Sequence, residues 1–192
     1  MCRVFATNGH KLAIVTEQQP YRVIEVFKGF ELRHYPQYVL VSVTTKGPFN
    51  AAASRGFYPL VSFIGGQNRS GEKIAMTAPV LHKPINDETH TISFVMPETM
   101  DASRIPAPTD AQVSTQIIDA HYAAATKFRG LASEEHFKSF GDQLVADVKL
   151  AGLKIVGDAY YARFDPPWKP GFLRRNEALV DITQYPDKKG NK

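Results

Sequence analysis

The feature that most restricts the fold is a change of hydrophobic period, from alternation to helical spacing and back, which occurs twice along the chain. Alternation begins at Tyr21 with Val23, Glu25 and Phe27, turns at Lys28-Gly29 into Glu31 to Tyr35, and continues in the β-branched run Tyr38 to Thr45, whose Val39, Val41 and Val43 share one face. After Gly47-Pro48, Phe49, Ala52, Ala53, Gly56, Phe57, Leu60, Val61 and Ile64 fall on one stripe at spacings of three and four, which predicts a helix ending at Gly65-Gly66. Pro59 cannot donate to the carbonyl of Arg55, so a kink or two short helices end to end is expected there. Lys73 to Leu81 and Thr91 to Met96 then alternate again, and Pro79 puts the first of them at a sheet edge or a bulge.

The order repeats beyond the stiff stretch Arg104 to Thr109. Val113 to Ile118 and Tyr122 to Phe128 read as a hairpin. Ser133 caps a helix with Glu134 and Glu135 in its first turn and a stripe of Phe137, Phe140, Leu144, Val148 and Ala151, which Gly152 and Leu153 end in a Schellman cap. Ile155 to Phe164 and Asn176 to Ile182 supply two last strands. Gly47 and Gly130, each at a helix entry, lie 83 residues apart, and Pro79 and Pro166, each closing a strand, lie 87 apart. An α+β fold follows, in which each of two halves sets one helix on its strands, and the gap between helix and sheet is the natural place for a flat apolar ligand.

Of 192 residues, 43% are hydrophobic and 22% charged, as in a globular domain able to build a core without staples. The single cysteine, Cys2, excludes an intrachain disulfide framework and cysteine-based metal sites and points to a reducing compartment. Residues 1–15 lack the apolar run of a signal peptide and no apolar run approaches the ~20 residues of a membrane helix, so a cytoplasmic protein without membrane insertion is expected. A net charge of +4 with no basic stripe or recognition motif gives no reason to expect nucleic acid. Residues 1–19 read as a poorly ordered extension, 20–185 as the domain and 186–192 as a polar tail.

Two segments carry a specific likeness. Gly65-Gly66-Gln67-Asn68 with Lys73-Ile74-Ala75-Met76-Thr77-Ala78-Pro79-Val80, and Tyr161-Ala162-Arg163-Phe164-Asp165-Pro166-Pro167-Trp168-Lys169-Pro170 with Arg174-Arg175-Asn176-Glu177, resemble the two signatures of the SOUL heme-binding family. The resemblance runs from about Tyr21 to Ile182. It implies a distorted antiparallel β-barrel of about eight strands in two pseudosymmetric halves, and binding, buffering or transport of heme or another porphyrin. His34 matches the histidine proposed as axial iron ligand; Phe57, Leu60, Val61 and Ile64, with Met76, match the apolar pocket wall; Lys169 matches a lysine associated with the heme propionates. The chain departs from the pattern at Ser54 and Ser62, where a heme-binding relative carries an arginine and a lysine for the propionates. Similar folds of the gyrase-inhibitor-like type bind varied hydrophobic molecules, so a binder or hydrolase of another such molecule is the alternative.

Catalytic constellations are not legible. His82, His90, His121 and His136 lack metal-ligand spacing and read as polar loop or helix-surface residues, and Glu177, among Arg174, Arg175 and Asn176, reads as a structural ion pair. The expectation is a binding protein, with no metal other than heme iron.

Overall fold

The computed structural model describes residues 16–100, 103–130, 133–166, 168–183 and 185. The strands are β1 (Glu17–Gln18), β2 (Arg22–Phe27), β3 (Phe30–Tyr35), β4 (Tyr38–Lys46), β5 (Thr77–Ala78), β6 (Val80–Asn86), β7 (Thr89–Val95), β8 (Val113–Ile118), β9 (His121–Arg129), β10 (Ile155–Arg163) and β11 (Arg175–Ile182); the helices are α1 (Phe49–Ile64) and α2 (Glu134–Leu150). Pairing begins at Glu17, ahead of the expected domain start, because β1 lies parallel to β5. Most of the expected extension and the whole expected tail lie outside the described residues.

Nine strands form one antiparallel sheet in the order β2-β3-β9-β11-β10-β6-β7-β4-β8. Apart from the added β2, the order is preserved when β3, β4, β6 and β7 are exchanged with β8, β9, β10 and β11 and the sheet is read from its other end. The pseudo-twofold passes between β6 and β10, and the first strand of each half pairs with the second strand of the other: β3 with β9, β8 with β4. The expected barrel is not closed, because the edge strands β2 and β8 do not pair with each other among the described residues.

Both helices pack on one face of this sheet. α1 covers β4 and β7, its Leu60, Phe63 and Ile64 meeting Val41, Val43, Ile92 and Phe94. Gly56 allows that contact, since a Cβ there would stand 2.5 Å from Cγ1 of Ile92. α2 covers β9, β10 and β11 through Phe137, Leu144 and Val148. Truncating the fully buried Phe137 to alanine would cost about 3–5 kcal/mol. Ser133 accepts from the backbone N–H of His136 at 3.3 Å, and at the other end Leu153 N donates to Val148 O and Gly152 N to Lys149 O, the two bonds of a Schellman cap. Of the two outcomes expected at Pro59, separate short helices do not form: α1 is one helix of 16 residues with Pro59 inside it. The carbonyl of Arg55, which Pro59 cannot serve, belongs to an exposed residue, while the apolar stripe on either side is held by the sheet.

The other face of the sheet carries its own apolar layer, with Tyr35, Leu81, Val95, Ala162 and Leu179 from both halves.

Candidate functional site

A groove of about 380 Å³ opens where α1 leaves the sheet, near the pseudo-twofold. Ala53 and Phe57 of α1, Val80 of β6 and Ile92 of β7 make its apolar wall. Its polar side is formed by His82 of β6, Arg163 at the end of β10, and Asp165 and Arg174 of the connection to β11, with Ser54 and Tyr58 on the helix.

The position of Arg163 follows from strand alternation. Tyr161 and Arg163 point to the helix-bearing face, and where Tyr161 meets the α2 core, Arg163 lies under the seam between the helices, its guanidinium 5.2 Å from the ring of Phe49 and 5.0 Å from that of Phe137. Among the described residues no carboxylate stands within ion-pair distance of it, and its Nε is buried without a partner. Burial, with repulsion from Arg174, pulls its pKa down to about 10, so it remains charged at neutral pH. Its side-chain hydrogen bond among the described residues is a long one: Nη2 donates to Nδ1 of His82 at 3.4 Å.

That donation orders a histidine pair. A guanidinium can only donate, so Nδ1 of His82 is the acceptor, Nε2 carries the proton and donates to Nδ1 of His90 at 3.1 Å. Nε2 of His90 is then an N–H donor, buried and without a partner among the described residues. His82 stacks on Phe49 with ring centroids 4.0 Å apart. Burial first, then Arg163 and His90, hold the His82 pKa down at about 2, so the ring is neutral under ordinary conditions. The expectation that His82 and His90 are polar loop residues is overturned: they face each other across the β6-β7 pair and are 0% and 1% exposed. His121 and His136 are half-buried; His136 sits in the first turn of α2, and its ring nitrogen lies 3.0 Å from the carbonyl of Arg129.

The expected site residues are dispersed. Phe57 lines the groove, but Leu60 and Ile64 are buried against β4 and β7, Val61 is exposed one turn beyond Phe57 without lining the groove, and Met76 is exposed ahead of β5. Lys169 stands beside the groove, its Nζ donating to Oδ1 of Asp165 at 2.7 Å. His34 lies on β3, four strands from β6 in sheet order, half-buried and edge-on to Tyr122 at 5.0 Å. It is not brought to the groove wall. Sequence reasoning missed Arg163 and His82; the signal was a charged or titratable residue at an inward position of an alternating strand.

On the opposite face, Arg33 and Glu177 form a buried ion pair at 2.6 Å, the guanidinium also pairing with Glu31 at 2.7 Å and lying 4.1 Å over Tyr21. Burial alone would lower the Arg33 pKa, but its hydrogen bonds to Glu177 and Tyr35 and their charge interactions together outweigh it and the pKa is raised. Glu177 also accepts from Arg175 at 2.7 Å. The expected ion pair at Glu177 is present, with Arg33 and Arg175 as its partners.

Residues 16–181 match the family model described as SOUL heme-binding protein. The chain belongs to the SOUL heme-binding protein family. Among curated SOUL relatives, mouse heme-binding protein 1 is 30% identical over 151 residues, covering 75% of this chain and 78% of its own, and human heme-binding protein 2 is 28% identical over 174 residues, covering 85% and 82%. These relatives are binding proteins. Solved structures with the same fold include the C-terminal domain of EcmrR, at TM-score 0.63 and 11% identity over 86% of this chain and 99% of that one, and a hydrolase from Listeria innocua, at TM-score 0.51 and 12% identity over 79% and 91%. At such identities the likeness establishes the fold alone.

Proposed function

We propose that this chain binds heme or a related porphyrin in the groove beneath α1, as a cytoplasmic carrier or buffer. The observation that carries the reading is Arg163: a largely buried cation with no carboxylate within ion-pair distance among the described residues, at the polar side of an apolar groove. A porphyrin has complementary parts, a flat apolar macrocycle to lie against Phe57, Val80 and Ile92 and a propionate to meet a guanidinium. The names of the SOUL relatives support the same ligand class. Arg163 reaches the groove from the sheet and so supplies a cation that the helix, with Ser54 and Ser62, does not. Lys169 contributes a second cation at the rim once its contact with Asp165 is exchanged for a propionate.

Among the described residues, the groove lining offers iron no free ligand. Both ring nitrogens of His82 are engaged, and His34 lies elsewhere on the sheet. The groove therefore holds the macrocycle by its faces and its acid groups, and iron-free porphyrin binds as heme does. Titrations with hemin, protoporphyrin and protoporphyrin dimethyl ester test this. The first two saturate alike, and the ester binds about 10- to 150-fold more weakly, the equivalent of one charge-assisted hydrogen bond of roughly 1.5–3 kcal/mol. No saturable change up to tens of micromolar hemin refutes the function. A Soret band that His34→Ala alters moves the iron to β3 and refutes the groove.

A further inference from the structure

The connection between β10 and β11 presents apolar side chains to solvent. Trp168, Phe172 and Leu173 are 83%, 72% and 44% exposed, and none belongs to the apolar clusters of the described residues. The display is built into the backbone. Asp165 accepts from Lys169 Nζ at 2.7 Å and from the Arg175 N–H at 2.6 Å, and Arg174 Nε donates to the carbonyl of Lys169 at 2.7 Å. Leu173 N and Arg174 N bond the carbonyls of Pro170 and Gly171 at 2.9 and 3.0 Å, closing a 3-10 turn, and Pro166 and Pro170 restrict the chain further. A connection tied down at so many points holds its aromatic side chains outward at a desolvation cost that only a partner would relieve.

The chemistry of that partner is indicated by charge. From Asp165 to Glu177 the chain carries Lys169, Arg174 and Arg175 against the carboxylates Asp165 and Glu177, of which Glu177 is buried. Aromatic tips set among cations match the bilayer interface, where the rings settle at headgroup level and the cations meet anionic lipid. Across the groove the exposed Tyr58 of α1 stands on the same rim as Asp165 and Arg174, so the apolar tip and the groove mouth adjoin. We propose that Trp168, Phe172 and Leu173 form a docking tip for an anionic phospholipid surface and so bring the groove mouth to the membrane. This is a peripheral contact; among the described residues no helix is long and apolar enough to cross a membrane.

Trp168 is the only tryptophan, so tryptophan emission from the full chain reports on the tip alone. On adding phosphatidylcholine vesicles containing phosphatidylserine, the emission shifts to the blue, is quenched by brominated acyl chains, and the protein co-sediments with the vesicles; salt or omission of phosphatidylserine weakens all three. Phe172→Ser and, separately, Leu173→Ser lower co-sedimentation about tenfold or more, as loss of one buried apolar side chain predicts. Both variants leave the hemin titration unchanged, which separates this proposal from the groove reading. Absence of a blue shift and of co-sedimentation overturns it. So does vesicle binding that neither serine variant weakens, or capture of a protein partner through the tip without vesicle binding.

Discussion

Replacing Arg163 with methionine separates a residue kept for binding from one kept for folding. The guanidinium is charged and buried, with a pKa drawn from 12.5 to about 10, a penalty of roughly 3 kcal/mol on the charged form at neutral pH. Its removal also forfeits the ring contacts with Phe49 and Phe137, about 1 kcal/mol, and the long bond to His82, about another. The ligand-free Arg163→Met chain is therefore more stable by about 1 kcal/mol, read from urea unfolding as a higher midpoint at unchanged slope. Porphyrin affinity moves the other way, falling about 10- to 150-fold with the loss of a charge-assisted bond to a propionate. The penalty is complete while the group is charged in both states, so the gain is flat across neutral pH and shrinks only as the wild-type arginine deprotonates in the fold, above about pH 10. Lower stability together with unchanged affinity would refute this reasoning, because Arg163 would then be a structural cation.

Other consequences are open to simpler measurements. Ser54→Arg puts a second guanidinium on the helix wall of the groove and tightens hemin binding by about 5- to 30-fold, measured by the same titration, since a partly buried ion pair contributes roughly 1–2 kcal/mol. Glu177→Gln leaves Arg33 buried with Glu31 alone and lowers stability by about 3 kcal/mol in urea unfolding, with porphyrin affinity unchanged. His82, at about 2 in the fold and 6.5 when exposed, takes up a proton only on unfolding between those values, so stability falls as pH drops below about 6.5. In NMR the His82 ring does not titrate from pH 8 to 5, and His82→Gln flattens that part of the stability profile. Glu31 works at lower pH: burial raises its pKa, the bonds from Lys127 and Arg33 outweigh this, and the stability it contributes is lost as pH falls through its lowered value.

Element order was legible because it depends on local periodicity. The helix stripes, the Ser133 cap and the Gly152 terminator are short-range signals, and each appears where the sequence puts it. Strand pairing was not legible, because alternation says which face a residue takes and nothing about its neighbour. The exchange of β3 and β8 between halves depends on contacts across most of the chain, and so does the failure of β2 and β8 to meet. Pro59 shows the same limit: the local rule left a kink or two helices open, and packing along the whole face of α1 keeps the helix in one piece.

The site follows the same division. Phe57, Leu60, Val61 and Ile64 share one stripe in sequence, yet the sheet engages only part of it, so Leu60 and Ile64 become core, Val61 stays exposed and Phe57 meets the groove. Arg163 and His82 lie 81 residues apart and meet because β10 and β6 pair at the pseudo-twofold, setting Arg163 opposite Val80 and Tyr161 opposite His82. The groove lies at the boundary between the halves, where two inward-facing polar residues arrive with no carboxylate among the described residues within ion-pair distance of the cation. A core selected for stability alone would fill those two positions with apolar side chains. Their place at the seam ties the proposed binding chemistry to the symmetry of the fold and favours this groove, rather than strand β3 with His34, as the place where a carboxylate-bearing ligand is received.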